Sequence, residues 1–125
     1  MAKFVGSRSR SKEGPRHVTG RGLFTDDFKM PGMLQAMILR SPHAHARIRR
    51  IDTSRAAAFP GVKAVLTAAD FPAVPDRIVD LGEGATPLSY IRGNVLASGK
   101  VLYRGHAVAA VAAVNPQVAE EGLIA

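Results

Sequence analysis

A chain of 125 residues, 46% of them hydrophobic, is long enough for one buried core and too apolar for a disordered segment. It has no cysteine, which excludes disulfides, thiolate metal sites and cysteine nucleophiles and fits a reducing cytoplasm, the expected location. The net charge of +7 is uneven: residues 1–63 carry 13 Lys and Arg against 4 Asp and Glu, while the remainder is net negative, so the basic half suits an acidic partner, but 6% aromatics without Trp leave few platforms for stacking on nucleic acid.

Residues 1–22 are rich in Gly, Ser, Lys and Arg and lack periodicity, and residues 1–15 read as a flexible basic arm. No apolar stretch follows this arm, as a secretory signal would require, and no run approaches the length of a membrane span. Leu23–Phe28 is a candidate short strand, and Met30-Pro31-Gly32 a turn. Leu34–Arg40 is apolar on both faces apart from Gln35, as in a strand covered on both sides.

Ser41-Pro42 stops that strand, because Pro42 has no N–H for a ladder. From Ala44 the period is two: Ala44, Ala46 and Ile48 point one way, and His45, Arg47 and Arg49 the other, a half-buried strand with a basic outer face. Asp52-Thr53-Ser54 offers caps for a short helix from Ser54 to Phe59, ended by Pro60-Gly61. Val62–Leu66 is β-branched and strand-like, and Thr67 or Asp70 starts a helical turn.

Residues 72–98 mix prolines and glycines with modest apolar content and read as a long surface loop, with an extended piece near Leu88–Ile91. Two strands follow, Lys100–Tyr103 and Ala107–Val114, around Arg104-Gly105-His106. The second is apolar and small on both faces, the pattern of a central strand. Asn115-Pro116 caps a final helix that runs to Ala125 without a stop signal, so the chain reads as part of a longer protein. Strands and short helices without regular alternation argue for an α+β fold.

The chemistry-bearing residues assemble no site. His43 and His45 could share a strand face and hold a metal, but no third ligand has a convincing spacing, so metal sites are not expected. Asp26 and Asp27 are adjacent and point apart, unsuited to paired acid–base work. Ser41 lacks the Gly-x-Ser-x-Gly elbow of a nucleophile, and Gly99-Lys100 lacks the surrounding residues of a phosphate loop. No catalytic, cofactor-binding or metal residue is assigned.

The ordered set Thr19-Gly20, Phe24-Thr25-Asp26-Asp27, Pro31-Gly32, Arg40-Ser41-Pro42-His43-Ala44, Pro60-Gly61-Val62 and Tyr103-x-Gly105 resembles the N-terminal α/β-hammerhead domain of molybdenum-binding large subunits of the xanthine dehydrogenase and aldehyde oxidase family, which includes aerobic carbon monoxide dehydrogenase. The resemblance covers residues 16–125 and implies an α+β hammerhead, a mixed β-sheet with short helices packed on it. His106 departs from it, standing where many relatives carry Glu or Gln. The resemblance further implies a scaffold domain, inactive alone, of an oxidoreductase whose molybdenum-pterin cofactor sits in downstream domains of the same subunit. FAD and iron-sulfur clusters would lie on partner domains or subunits. His43, Arg47, Arg49, Gly105 and His106 are the candidate interdomain contacts; nucleic acid and membrane are not expected partners. The alternative is a stand-alone basic module for nucleic acid or an acidic protein. Substrate is not legible.

Overall fold

The structure, a computed structural model, describes residues 6–80 and 82–125. Two compact units divide the chain, Met1–Pro31 and Gly32–Ala125.

In the first unit, α1 (Gly14–Val18) occupies part of the segment expected to lack structure, with Pro15 in its first turn, where a missing N–H costs nothing. The strand expected over Leu23–Phe28 is a 3₁₀ turn at Thr25–Asp27 instead. Asp27 is the reason: its carboxylate accepts the Phe24 N–H at 3.0 Å, a local bond that competes with any ladder.

The second unit carries the rest: β1 (Gln35–Arg40), β2 (Ala46–Arg47), α2 (Ser54–Ala58), β3 (Val62–Thr67), β4 (Ile78–Asp80), β5 (Ala85–Pro87), α3 (Leu88–Val95), β6 (Lys100–Val101), β7 (Ala107–Ala113) and α4 (Pro116–Ile124). Among the described residues they make three small sheets, β1-β7-β3, β2-β6 and β4-β5, with short helices packed on them. The α+β class stands, but each ladder is antiparallel where a mixed sheet was expected. β1 and β3 run the same way yet flank β7 and never pair with one another.

β7 is the central strand its sequence predicted, and it alternates strictly: Ala107, Ala109, Val111 and Ala113 are buried, and the residues between them half-buried. The buried side lies under α4. Gly122 makes this close approach possible, because a Cβ there would sit 2.9 Å from Val62 Cγ2 and 3.2 Å from Val111 Cγ1. Asn115 starts α4 as the sequence indicated, its Oδ1 accepting the Val118 N–H at 2.8 Å. Asp52 starts α2, accepting both the N–H and the hydroxyl of Ser54.

Three further expectations change. β1 is an edge strand and mostly exposed, where its apolar pattern anticipated cover on both faces. The strand from Ala44 shrinks to Ala46–Arg47, although Ile48 still donates its N–H to Gly99 O at 2.9 Å and the basic side chains still face out. The long loop holds the β4-β5 hairpin and α3, and Leu88–Ile91 is helical rather than extended. Leu88, Ile91 and Val95 recur at helical spacing and line one cavity with Phe71, Pro72 and Val74.

Gly122→Val forces β-branched bulk into the α4–sheet contact. It should destabilise the domain by about 1–3 kcal/mol, read as a lower midpoint in chemical denaturation; an unchanged midpoint would contradict the packing described.

Candidate functional site

Of the residues singled out by sequence, Ser41, His43, Gly105 and His106 meet at the corner where β1 ends and β7 begins. Gly105 has φ +89°, a left-handed conformation suited to glycine, and it turns the chain into β7. The corner is stapled in both directions. Ser41 N–H donates to His106 O at 2.9 Å, and Gly105 N–H donates to Ser41 O at 2.8 Å. Arg40 Nη1 donates to Gly105 O at 2.9 Å. Ser41 Oγ accepts the His43 N–H at 3.0 Å and donates to His43 O at 3.1 Å, holding the bend that Pro42 initiates. Ser41 is 7% exposed and wholly occupied by backbone, a structural role and not a nucleophile's.

His106 lies at the centre of this corner with 0% of its surface exposed. Its Nδ1 accepts the Leu102 N–H at 3.2 Å, so Nδ1 carries no proton. Its Nε2 lies 2.9 Å from Gly93 O, which only accepts, so Nε2 carries the proton. Gly93 stands in the last turn of α3, where carbonyls lack a helical partner. The ring therefore caps α3 while fixing the end of β6. Tyr103 stacks on it, with centroids 4.5 Å apart and planes inclined by 17°. His106, read from sequence as a turn residue and a candidate interdomain contact, is buried here, with both ring nitrogens serving backbone groups of its own domain. No other part of that side chain reaches the surface.

His43, His45, Arg47 and Arg49 are exposed, and Gly105 is half-buried. His43 and His45 gain no third ligand: among the described residues no three His, Cys, Asp or Glu side chains converge in a way that could hold a metal ion. Beyond the stripe, Arg50 pairs with Asp52. The hydrogen bonds from Ser54, then the Arg50 guanidinium, hold the Asp52 carboxyl at about 2, below its usual range. Asp70 is lowered in the same direction by the N–H and hydroxyl of Thr67.

Sequence reasoning missed Arg92. Its Nη2 donates to Ala68 O at 2.9 Å and Phe71 O at 3.2 Å, tying α3 to the end of β3, while its buried Nε has no partner. Only recognition of α3 as a helix would have found it. A cavity of about 630 Å³ opens beside α3, lined by Asp76, Arg77, Tyr90 and Lys100 among others, with Ser89 bonded to Asp76 at 2.5 Å. Its charges are mixed in sign and exposed at the rim, and it contains no paired acid and base.

The chain as a whole has counterparts among known proteins. Residues 19–124 match the family described as "Aldehyde oxidase and xanthine dehydrogenase, a/b hammerhead domain". The carbon monoxide dehydrogenase large chain of Afipia carboxidovorans is 42% identical over 119 residues, which cover 95% of this chain and 14% of that one. The gamma subunit of the 6-hydroxypseudooxynicotine dehydrogenase complex of Paenarthrobacter nicotinovorans is 37% identical over 121 residues, covering 94% of this chain and 15% of that one. Among solved structures, reconstituted CO dehydrogenase from Oligotropha carboxidovorans superposes with a TM-score of 0.75 at 42% identity, covering 95% of this chain and 14% of that one. Quinoline 2-oxidoreductase from Pseudomonas putida 86 gives 0.75 at 34%, covering 99% of this chain and 16% of that one. The chain thus spans about one seventh of the length of those relatives.

Two outcomes follow from the corner. His106→Leu strands the Leu102 N–H and the Gly93 carbonyl; at roughly 1–3 kcal/mol per orphaned group it should cost about 2–5 kcal/mol, with His106→Gln recovering part, both measured by urea denaturation. For Asp52, the folded-state pKa lies below the unfolded 3.8, at about 2. The unfolded state therefore binds more protons between those values, and the contribution of Asp52, present above the unfolded value, is lost as pH falls towards 2. The stability of Asp52→Asn should change less between pH 4 and pH 2 than that of the parent chain, in matched melts.

Proposed function

Because the chain belongs to the aldehyde oxidase and xanthine dehydrogenase hammerhead family, we propose that it is the non-catalytic scaffold domain of a molybdenum-containing hydroxylase or dehydrogenase large subunit, supporting downstream domains that bind a molybdenum-pterin cofactor. The observation that carries this reading is how the domain uses its buried polar side chains. Ser41 and His106, both buried, give their side-chain polar atoms to the domain's own backbone. Among the described residues no three His, Cys, Asp or Glu side chains converge on a metal position, and no step of the reaction is assigned to them. Relatives of this chain include proteins named for the cofactor, such as the nicotinate dehydrogenase large molybdopterin subunit of Eubacterium barkeri.

In this reading the work of the chain is geometric. The Ser41–His106 staple and the His106 cap on α3 fix the corner as one rigid piece. His43, Arg47 and Arg49 stand out from it as contacts for neighbouring domains, and the Gly105 turn sets their orientation. The long cationic side chains suit carboxylates or backbone carbonyls of a partner surface. Partner domains or subunits with FAD and iron-sulfur clusters complete the enzyme, and its location is the cytoplasm; among the described residues no helix is long and apolar enough to cross a membrane.

The test is a chimera in which this chain replaces the matched segment of the Afipia carboxidovorans large chain. Molybdenum-pterin content should approach that of the parent, and deletion of the segment without replacement should abolish it. A deleted chain that loads the cofactor normally would overturn the scaffold role. Stoichiometric molybdenum-pterin on the purified 125-residue chain would overturn it from the other side.

A further inference from the structure

The β1-β7-β3 sheet has two faces, and among the described residues of its unit α4 covers one. Register places Met37, Val111 and Val65 together on the side under α4. It places Ala36, Ile38, Ala110, Ala112, Ala64 and Leu66 together on the other. That second face is wholly apolar, yet Ile38 is 44% and Leu66 46% exposed. An antiparallel sheet with a solvated face normally carries polar residues there. A strand reading AVAAVAA is instead the pattern of a strand buried on both sides.

The relief of this face indicates what covers it. Alanines form its floor, and Ile38 on β1 and Leu66 on β3 form its walls. Those walls stand on strands two spacings apart, about 9.5 Å. A helix with its side chains is about 10–12 Å across, close to this span, so an apolar helix face can rest over the alanine floor and contact Ile38 and Leu66 at its two edges. The material for such a helix is at hand in the relatives, where this segment is 14% of a much longer chain. Resting on the scaffold reading above, we propose that the open face of the sheet is the docking surface for an amphipathic helix from the remaining polypeptide of the large subunit. A second copy of this chain would fit less well: two such faces would bring wall against wall and leave both alanine floors unfilled.

The absence of cysteine makes the test direct. Ile38→Cys and Leu66→Cys place single thiols on the walls, and Glu83→Cys, at an exposed position in the hairpin, is the control. Iodoacetamide alkylation is followed by mass spectrometry of the labelled peptide, in the 125-residue chain and in the chimera. In the chain alone all three thiols should react at similar rates. In the chimera the two wall thiols should slow by about tenfold or more while the control is unchanged. Wall thiols that react freely in a chimera loaded with molybdenum overturn the docking surface and leave the scaffold reading standing. Protected thiols in a chimera without molybdenum do the reverse. Wall thiols already slow in the 125-residue chain overturn the proposal whether or not the chimera folds: a monomer would show the face closed within the domain, and a dimer by light scattering would assign it to a second copy.

Discussion

The ring of His106 is the constraint on which the second unit depends. Among the described residues it is the one large polar side chain in the buried set, and its nitrogens bond the Leu102 N–H and the Gly93 carbonyl. Through Nε2 it closes α3, through Nδ1 it fixes the chain leaving β6, and through its own backbone it joins β7 to the end of β1. Apolar packing supplies most of the burial energy but is tolerant of direction. The ring is not: a donor on one edge and an acceptor on the other admit one orientation and one tautomer. Two of the three small sheets and a helix are thereby held in a single arrangement.

The remaining features divide between holding the domain together and presenting it. Ser41, Arg40, Gly105 and Arg92 spend their polar groups on internal carbonyls and N–H groups. The cationic stripe and the alanine-floored sheet face spend nothing internally. Among the described residues the buried polar side chains are bonded within the domain apart from Arg92 Nε, while a charged and an apolar surface stay exposed. This contrasts with a catalytic centre, where titratable groups converge on a cavity with perturbed affinities for protons. Here the lowered carboxyls, Asp52 and Asp70, are surface residues next to helical turns.

Sequence made the strong local signals legible. The alternation of β7, the Asn115-Pro116 start of α4, the Pro60-Gly61 stop and the Ser41-Pro42 corner each rest on a residue type with a steric or hydrogen-bonding reason to be where it is. The fold class followed from their order. What was lost involved competition or distance. Asp27 diverted a strand-like segment into a turn through one side-chain bond. The helix over Leu88–Val95 was obscured by Gly93 and by proline-rich flanks, and with it the bonds that Arg92 makes 21 and 24 residues away and that His106 makes to Gly93, 13 residues away. The histidine itself was noticed, but its inward orientation could not be read, since a polar residue in a turn is ordinarily solvated.

The register of the central sheet has a consequence in time. Gln35 pairs with Ala113 and Val62 pairs with the same residue, so both outer strands wait on the one strand made last. As the polypeptide leaves the ribosome, the apolar segment ending in Ile38-Leu39 has no ladder to join until β7 has emerged some seventy residues later. Contacts of such separation are slow to close and are rewarded only once all are in place. During that interval two unpaired, apolar edges are open to pairing with other chains. The domain is thus exposed to misassembly during synthesis in proportion to how long β7 is delayed, and a chaperone that shields β1 and β3 until that moment would act on the vulnerable step.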